Sequence, residues 1–359
     1  MSEILGETAV PSPNGPRTGG PFLDVRDLKV HFPTDDGLVK SVDGLSFSLE
    51  RGRTLGIVGE SGSGKSVSSM AIMGLHRGTG ARITGEIWLD GEELVAATAD
   101  SVRKLRGRKM AMIFQDPLSS MHPYYKIGAQ IIEAYQLYNN VSKKVARKHA
   151  IDLLGRVGIP EPASRVDAYP HQFSGGMRQR AMIAMALACD PELLIADEPT
   201  TALDVTVQAE ILDPIRDLQR EFGSAVIMIT HDLGVIAELA DDVLVMYAGK
   251  AVEHASAQDI FKRPEHPYTW GLLSSMPRMD RERQDRLIPV TGTPPSLINL
   301  PPGCSFNPRC PYCTLTDGRS LTEVPALLPI EPGSGHSVAC HLRPSRRKQI
   351  WTEEVEPKL

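Results

Sequence analysis

One short segment constrains this chain more than any other part of it. Residues 59–66 fit the pattern G-x-x-x-x-G-K-[ST], after an apolar run that ends at Val58 and before a helical pattern. Glycines there let successive backbone N–H groups turn toward phosphate oxygens, and the start of the helix adds a favourable dipole. Lys65 would neutralise the β- and γ-phosphates, and Ser66 would offer a hard oxygen to Mg²⁺. The pattern therefore predicts a nucleotide-binding loop made of Gly59, Glu60, Ser61, Gly62, Ser63, Gly64, Lys65 and Ser66.

Apolar runs typical of strands alternate with helical patterns on both sides of this loop. Several of the runs are apolar throughout, which is typical of parallel strands that are covered on both faces. The alternation predicts an α/β fold built on a parallel-rich sheet. The expected strands are Leu28–Phe32, Leu45–Leu49, Thr54–Val58, Met110–Phe114, Leu193–Ala196 and Ala225–Ile229.

Composition divides the chain into a tail, a main domain and an extension. Residues 1–20 are expected to form a flexible tail, because they hold prolines and glycines but no sustained apolar run. Residues 21–275 are expected to form the main domain, with an inserted helical subdomain at about 117–177. Residues 276–359 are rich in proline, which predicts a small irregular extension. The longest apolar runs fall far short of the roughly 20 residues that cross a bilayer.

Two adjacent carboxylates follow a buried strand. Asp197 and Glu198 come directly after the run that ends at Ala196, and ligands of open α/β sheets bind at the carboxyl ends of strands. Asp197 is placed to hold Mg²⁺, and Glu198 to act as the general base on an attacking water. An isolated acidic pair is usually a solvated one, but beside a phosphate loop the catalytic interpretation is favoured.

Three further residues are candidates for the same site. His231 follows the strand Ala225–Ile229 and could contact the γ-phosphate or fix the water, although a lone histidine is as often structural. Gln115 follows another strand and could reach Mg²⁺ or water through its amide oxygen. Phe32 could stack on adenine or belong to the core.

A second serine-glycine turn opens a helical pattern at residues 173–180, which read FSGGMRQR. With the phosphate loop, the acidic pair and His231 in this order, residues 22–275 resemble the ATP-binding subunits of ABC transporters, which are P-loop NTPases. In that family two ATPase subunits, also called cassettes, close head-to-tail, and the serine-glycine turn of one completes the ATP site of the other. The resemblance implies such contacts for Ser174, Gly175, Gly176 and Gln179, and a role across the dimer for Asp204. Phe173 and Met177 replace the leucine and glutamine that are commonest in the family.

Other segments resemble the oligopeptide/dipeptide importer branch of that family. The resemblance implies ATP hydrolysis coupled to uptake of peptides or a related solute, at the cytoplasmic face of the membrane. It implies a second ATPase subunit, either a paralogue or an identical copy, two integral-membrane permease subunits and, indirectly, a solute-binding protein. Residues 115–123 would border the groove that receives a permease helix. The segments are 200–208, 231–237, 245–250, 301–311 and 336–342.

Four of the five cysteines fall in the last sixty residues. Four thiolates are the number needed for a [4Fe–4S] cluster or a structural Zn²⁺, and disulfides are disfavoured in the reducing cytosol. By resemblance this extension can hold an iron–sulfur cluster, with a third cysteine further from the second than is the case here. A [4Fe–4S] cluster is the expectation, with Zn²⁺ or no metal as alternatives. The candidate ligands are Cys304, Cys310, Cys313 and Cys340.

Two other functions stay open on sequence alone. One is an ABC-type ATPase that acts on nucleic acid or ribosomes, and the basic run 103–109 is the feature that favours it. A net charge of −5, a single cassette and the lack of a long coiled-coil insertion argue against it, so this run is expected to be a solvated surface loop. The other is a regulatory cassette that binds ATP but hydrolyses it poorly. Every catalytic position is filled, which favours an active ATPase. Nucleic acid is not expected as a partner.

Overall fold

Most of the apolar runs in the sequence form strands in the structure. The computed structural model of this chain describes residues 20–200, 205–275 and 290–358. Two predicted strands, Thr54–Val58 and Ala225–Ile229, have the expected bounds. The strands are β1 (Leu23–Thr34), β2 (Gly37–Leu49), β3 (Thr54–Val58), β4 (Arg82–Leu89), β5 (Glu92–Glu93), β6 (Met110–Ile113), β7 (Leu193–Asp197), β8 (Ala225–Ile229), β9 (Asp242–Tyr247), β10 (Lys250–Ser256), β11 (Leu328–Pro329) and β12 (Ser337–Val338).

The helices lie mainly between strands, as an α/β fold requires. A group of them, from Pro117 to Ala186, separates β6 from β7 at the place where helical patterns were read from the sequence. The helices are α1 (Lys65–Ile72), α2 (Ala99–Leu105), α3 (Pro117–Ser120), α4 (Ile127–Tyr138), α5 (Lys143–Arg156), α6 (Pro162–Arg165), α7 (Gly175–Ala186), α8 (Val205–Phe222), α9 (Leu233–Leu239), α10 (Ala257–Lys262), α11 (Pro267–Ser274), α12 (Arg319–Thr322) and α13 (Pro344–Ile350).

The larger sheet has the strand order β11-β12-β10-β9-β3-β8-β7-β6. Strands β9, β3, β8, β7 and β6 are parallel, and β10, β12 and β11 extend the sheet in antiparallel pairing. The parallel-rich α/β sheet predicted from the apolar runs is therefore confirmed. Because parallel strands end at the same edge, the residues that follow β3, β6, β7 and β8 are brought side by side there.

Both faces of the larger sheet are buried. A smaller antiparallel sheet of order β2-β1-β4-β5 covers one face, where Val25 and Ile87 share a core with Leu55. Helices α4, α5 and α7 cover the other face, where Ile131 and Leu154 belong to one core. This two-sided burial explains why the parallel strands are apolar at successive positions.

Strand β1 begins five residues before the predicted run Leu28–Phe32. Asp27 has a left-handed backbone with φ of 44°, and the pairing of β1 with both β2 and β4 shifts register around it. Such a bulge interrupts the alternation of inward and outward side chains. The periodicity therefore reveals only the second half of this strand.

The extension adds to the main sheet and core. Strand β12 pairs with β10 through Glu253 and Val338, and the backbone N–H of Ala339 donates to the carbonyl of Val252 at 2.8 Å. Phe306 and Trp351 belong to the core on the helix-covered face. The extension consists of short helical turns and strands, as an irregular proline-rich sequence suggests, but sequence alone did not indicate that it continues the sheet.

Candidate nucleotide-binding site

Glycine is required at two positions of the phosphate loop, because the backbone turns there in a conformation that other residues avoid. Gly59 and Gly64 have φ of 151° and 102°. A Cβ atom at Gly59 would lie 2.2 Å from the carbonyl oxygen of Met246, and one at Gly64 would lie 2.3 Å from the carbonyl oxygen of Ser41. The loop therefore wraps tightly between β3 and α1, in the strand–loop–helix order that a phosphate loop needs.

Lys65 lies over the loop, and its ammonium group has contacts to the loop backbone. Its Nζ donates to the carbonyl oxygens of Gly59 at 2.7 Å and Glu60 at 3.0 Å. Burial lowers the pKa of Lys65, and the carboxylates of Glu198, Asp197 and Glu60 act in the opposite direction. A buried cation at this point is the group that would meet the phosphate charge of a nucleotide.

Ser66 and Asp197 form the part of the site that fits Mg²⁺. The Ser66 hydroxyl donates to Asp197 Oδ1 at 3.0 Å, which joins the start of α1 to the end of β7. Burial raises the pKa of Asp197, Glu198 raises it further, and the Ser66 hydrogen bond and Lys65 oppose this. A hydroxyl and a carboxylate oxygen at this spacing are hard donors of the kind that Mg²⁺ prefers.

The next residue, Glu198, lies among three side chains that the sequence assigned to the same site. Its carboxylate accepts a hydrogen bond from Gln115 Nε2 at 3.0 Å, and His231 Nδ1 lies 3.6 Å from Glu198 Oε2. Glu198 has a left-handed φ of 48°, a strained conformation for a non-glycine residue that is most often found at functional positions. The structure thus brings Gln115, Asp197, Glu198 and His231 together at one sheet edge.

The serine-glycine turn forms the N-terminus of α7. Ser174 is the N-cap of this helix, and its Oγ accepts a hydrogen bond from the backbone N–H of Met177 at 3.3 Å. Ser174 and Gly175 are exposed, so this turn is open to a ligand or another chain. The helix N-terminus supplies backbone N–H groups and a favourable dipole for an anion.

Gln179 does not lie on the exposed surface with the rest of this turn, in contrast to the contact expected for it in a facing subunit. Its side chain is buried, and Nε2 donates to the carbonyl oxygen of Pro199 at 2.6 Å. Residues Met182 and Ile183, three and four positions further along α7, are also buried. This spacing puts Gln179 on the inward face of the helix, where its amide joins α7 to the segment after Glu198.

Phe32 and Asp204 are the two remaining residues with predicted contacts to the nucleotide or the partner cassette. Phe32 is partly buried near the end of β1, and its ring makes an edge contact with His76 at a centroid distance of 5.2 Å. Its predicted stacking on adenine stays a prediction. Asp204 lies outside the described residues.

Two contacts of the phosphate loop were not predicted from the sequence. The backbone N–H of Glu60 donates to the hydroxyl of Tyr268, and the Glu60 carboxylate is paired with Arg309. These partners are more than 200 positions away, at sequence separations of 208 and 249. The only local signal was that Arg309 directly precedes a cysteine in the segment that resembles the family.

The four cysteines of the extension are the predicted ligands of a metal centre, and besides burial the other three raise the pKa of Cys310 through electrostatic interaction. Burial raises the pKa of Cys304, that of Cys310 to about 12 and that of Cys340 to about 11, so these thiols stay neutral unless a bound metal ion displaces the proton. Among residues 20–200, 205–275 and 290–358, no three His, Cys, Asp or Glu side chains are close enough together to bind a metal ion. The expected arrangement of Cys304, Cys310, Cys313 and Cys340 around iron or zinc is therefore not supported.

The basic run 103–109 is exposed at Arg103, Lys104 and Arg108, as predicted for a solvated surface segment, whereas Arg106 and Lys109 are partly buried. Arg106 donates to the carbonyl oxygens of Met73 and Gly74, at 2.9 Å and 3.1 Å. Lys109 pairs with Asp90 and Glu192. Arg106 and Lys109, two of the five basic side chains of the run, are therefore occupied by contacts within the chain.

No helix in the described part of the chain combines the length and the apolar character needed to span a membrane. This agrees with the short apolar runs of the sequence.

Comparison with known proteins gives the family. The family described as ABC transporter matches residues 42–201, and the one described as oligopeptide/dipeptide transporter, C-terminal region, matches residues 252–315. The chain is 51% identical over 294 residues to the oligopeptide transport ATP-binding protein OppD of Haemophilus influenzae, covering 82% of this chain and 90% of that protein. It is 52% identical over 290 residues to the dipeptide transport ATP-binding protein DppD of Bacillus subtilis, covering 80% and 86%.

Solved structures agree with this assignment. The dimeric structure of MJ0796, a bacterial ABC transporter cassette, matches with a TM-score of 0.60 at 25% identity, over 66% of this chain and 98% of that one. CbiO1 of Clostridium perfringens, part of the ABC transporter complex cbiONQ, matches with a TM-score of 0.57 at 26% identity, over 68% and 91%. The chain belongs to the ATP-binding subunits of ABC transporters and carries the C-terminal region of the oligopeptide/dipeptide transporter branch.

Proposed function

We propose that this chain hydrolyses ATP to drive a membrane importer of oligopeptides or dipeptides. The observation that carries this proposal is the meeting of the phosphate loop, Asp197, Glu198 and His231 at one edge of the sheet. About half of the residues are identical to those of OppD and DppD proteins, and the match includes the C-terminal region that marks this branch.

The geometry suggests how these residues share the chemistry. Lys65 and the loop amides hold the phosphates of ATP, while Ser66 and Asp197 would hold Mg²⁺, which supplies charge neutralisation when it is bound. Glu198 takes a proton from water as the water oxygen bonds to the γ-phosphorus. The bond from that phosphorus to the β–γ bridging oxygen breaks, giving ADP and phosphate. Gln115 orients the Glu198 carboxylate through its hydrogen bond, and His231, 3.6 Å from that carboxylate, would contact the γ-phosphate or fix the water.

The second half of the ATP site comes from a partner in this proposal. Ser174 and Gly175 are exposed at the N-terminus of α7, which fits a contact to the γ-phosphate bound by a facing cassette. Gly176 would contribute to the same turn, and Asp204 would act across the dimer. The facing cassette is a paralogue or an identical copy.

The contact to the permease subunits is proposed near the segment after Gln115. Tyr124 and Tyr125, between α3 and α4, are 83% and 59% exposed. Exposed aromatic side chains are frequent in protein interfaces, where they bury large areas at small entropy cost. ATP-driven closure of two cassettes would move this region and the permease helices with it, and the chain would work at the cytoplasmic face of the membrane with a solute-binding protein.

Uptake of a labelled tripeptide into proteoliposomes tests the function. The vesicles contain this chain, its permease subunits and its partner cassette, with the solute-binding protein supplied outside. We expect ATP-dependent uptake that is lost with Lys65→Ala. Peptide uptake that continues unchanged with Lys65→Ala would contradict the proposal. So would purification of the chain with ribosomes or DNA and without a membrane partner.

The [4Fe–4S] cluster or zinc ion expected at Cys304, Cys310, Cys313 and Cys340 stays a prediction, because the geometry of the described residues does not by itself support it. Iron and zinc can be measured per chain in anaerobically purified protein. One cluster or one zinc ion per chain would confirm this prediction, and substoichiometric amounts of both metals would contradict it.

A further inference from the structure

The second residue of the phosphate loop, Glu60, is held from outside the loop. Its backbone N–H donates to the Tyr268 hydroxyl at 2.8 Å, so this amide is directed toward α11. Its carbonyl accepts from Lys65, and its carboxylate accepts two hydrogen bonds from Arg309 of the extension, at 2.5 Å and 2.9 Å. The position of Glu60 is therefore set by three different parts of the chain.

Arg309 uses every N–H donor of its guanidinium group at this point. Besides the two bonds to Glu60, Nε donates to the carbonyl of Thr291 at 2.8 Å and a terminal nitrogen donates to the carbonyl of Val290 at 3.1 Å. The fifth donor reaches the hydroxyl of Tyr247 at 3.3 Å. A guanidinium group has five N–H donors in a rigid planar arrangement, so the contact set leaves none free.

The surroundings explain why arginine is needed. The Arg309 side chain is only 3% exposed, and that of Glu60 is 29% exposed. Hydrogen bonds to Glu60 and Tyr247 raise the pKa of Arg309 and keep it charged against the cost of burial. Lysine is a point charge with three donors and cannot reproduce the bidentate contact or satisfy both backbone carbonyls.

We propose that Arg309 is a positioning residue for the phosphate loop: through its paired contact with Glu60, the extension sets the geometry in which residues 59–66 bind ATP. The proposal rests on the proposed binding of ATP at this loop. Arg309 touches Glu60 and not the nucleotide, so it acts through the loop. The loop and the extension then influence each other equally, because coupling between a binding site and a second region is reciprocal.

Affinity for a nucleotide probe tests the proposal in the full-length chain. The probe is ATP labelled with a fluorescent N-methylanthraniloyl group, titrated with Mg²⁺ present. The variants are Glu60→Gln, Arg309→Lys and the double variant. Arg319→Gln is the matched control, because it breaks an exposed ion pair with Glu323 in the same extension, away from the loop.

We expect each single variant to weaken affinity for the probe about tenfold, the size expected for loss of a charge-assisted hydrogen bond. The double variant should bind no more weakly than the weaker single variant, because the two changes remove one shared interaction. Arg319→Gln should bind as the wild type does. Mg²⁺ and ATP should also slow amide hydrogen exchange in residues 304–313 of the wild type and not of Glu60→Gln.

A purely structural role is separated by comparing affinity with stability. If Arg309→Lys lowers the melting temperature but binds the probe with wild-type affinity where it is fully folded, the proposal is overturned. Strictly additive effects of the two changes would also overturn it. Lys65→Ala distinguishes failure of the Arg309 proposal from failure of ATP binding at this loop. If Lys65→Ala loses binding while Glu60→Gln and Arg309→Lys bind normally, only the role of Arg309 is refuted. Normal binding in Lys65→Ala refutes ATP binding at this loop, and the role of Arg309 with it.

Discussion

At the scale of single residues, Gly62 and Gly64 make different demands within one loop. Both have positive φ, of 78° and 102°, but a Cβ would meet nothing within 4 Å at Gly62 and would lie 2.3 Å from a backbone oxygen at Gly64. Gly62→Ala should cost about 1 kcal/mol of unfolding free energy, the strain of a left-handed alanine, and leave ATP binding within a few-fold. Gly64→Ala should abolish ATP binding.

Chemical denaturation and a nucleotide titration of the two glycine variants measure these effects. Both positions have a positive φ, so both alanine variants carry backbone strain. They differ in the space that is available to the added Cβ atom. Equal losses of ATP affinity in both variants would show that the close approach to Ser41 is not what requires glycine.

Also at this scale, Glu198→Gln separates chemistry from binding. Glutamine keeps the size of the side chain but cannot accept the water proton, so turnover should fall by at least about a hundredfold, in the range for loss of a general base. ATP affinity should stay within a few-fold, because Lys65 and the loop are unchanged. Glu221→Gln, at an exposed ion pair with Arg156, is the control and should hydrolyse ATP normally. Near-normal hydrolysis by Glu198→Gln would remove the residue from its assigned role.

At the scale of elements, the junction of β10, α11 and the extension should make stability depend on pH. His266 is the N-cap of α11, and burial lowers its pKa from 6.5 to about 4, with Arg347 acting in the same direction and Glu253 opposing. Burial also lowers the pKa of His254 on β10. Below pH 6.5 the unfolded chain therefore binds protons that the folded chain does not, so stability is highest above that pH and falls as the pH drops.

Urea denaturation between pH 7.5 and 5 measures this dependence. The shift of His266 alone corresponds to a loss of about 3 kcal/mol once the pH approaches 4, of which about two thirds should appear by pH 5. His266→Asn keeps a side chain that can cap a helix but removes the titration, so the loss of stability with falling pH should be smaller in this variant. Identical pH profiles for the two proteins would contradict the assignment.

Elements with a clear local pattern could be predicted from the sequence, and those with an interrupted pattern could not. Strand β8 has the predicted bounds, Ala225–Ile229, because its residues are apolar at successive positions. Strand β1 was only partly predicted because the bulge at Asp27 breaks its alternation. The inward direction of Gln179 depends on how α7 packs, which the serine-glycine turn does not reveal.

At the scale of the whole molecule, the sequence predicted the edge of the sheet where the site lies but not what supports that site. The strand ends brought Gln115, Asp197, Glu198 and His231 together because parallel strands share one direction. The pairing of Glu60 with Arg309 spans 249 positions and depends on how the extension packs on the domain. No local pattern encodes such a contact.

The central claim is that ATP is hydrolysed between the phosphate loop of one cassette and the Ser174 turn of another. The most direct test measures ATP turnover per chain over a dilution series, with association followed by sedimentation under the same conditions. Turnover per chain should fall as the cassettes separate, and for a pair of identical copies Ser174→Arg should be inactive at every concentration although its own loop is intact. Constant turnover per chain down to concentrations at which only single cassettes sediment would contradict the account.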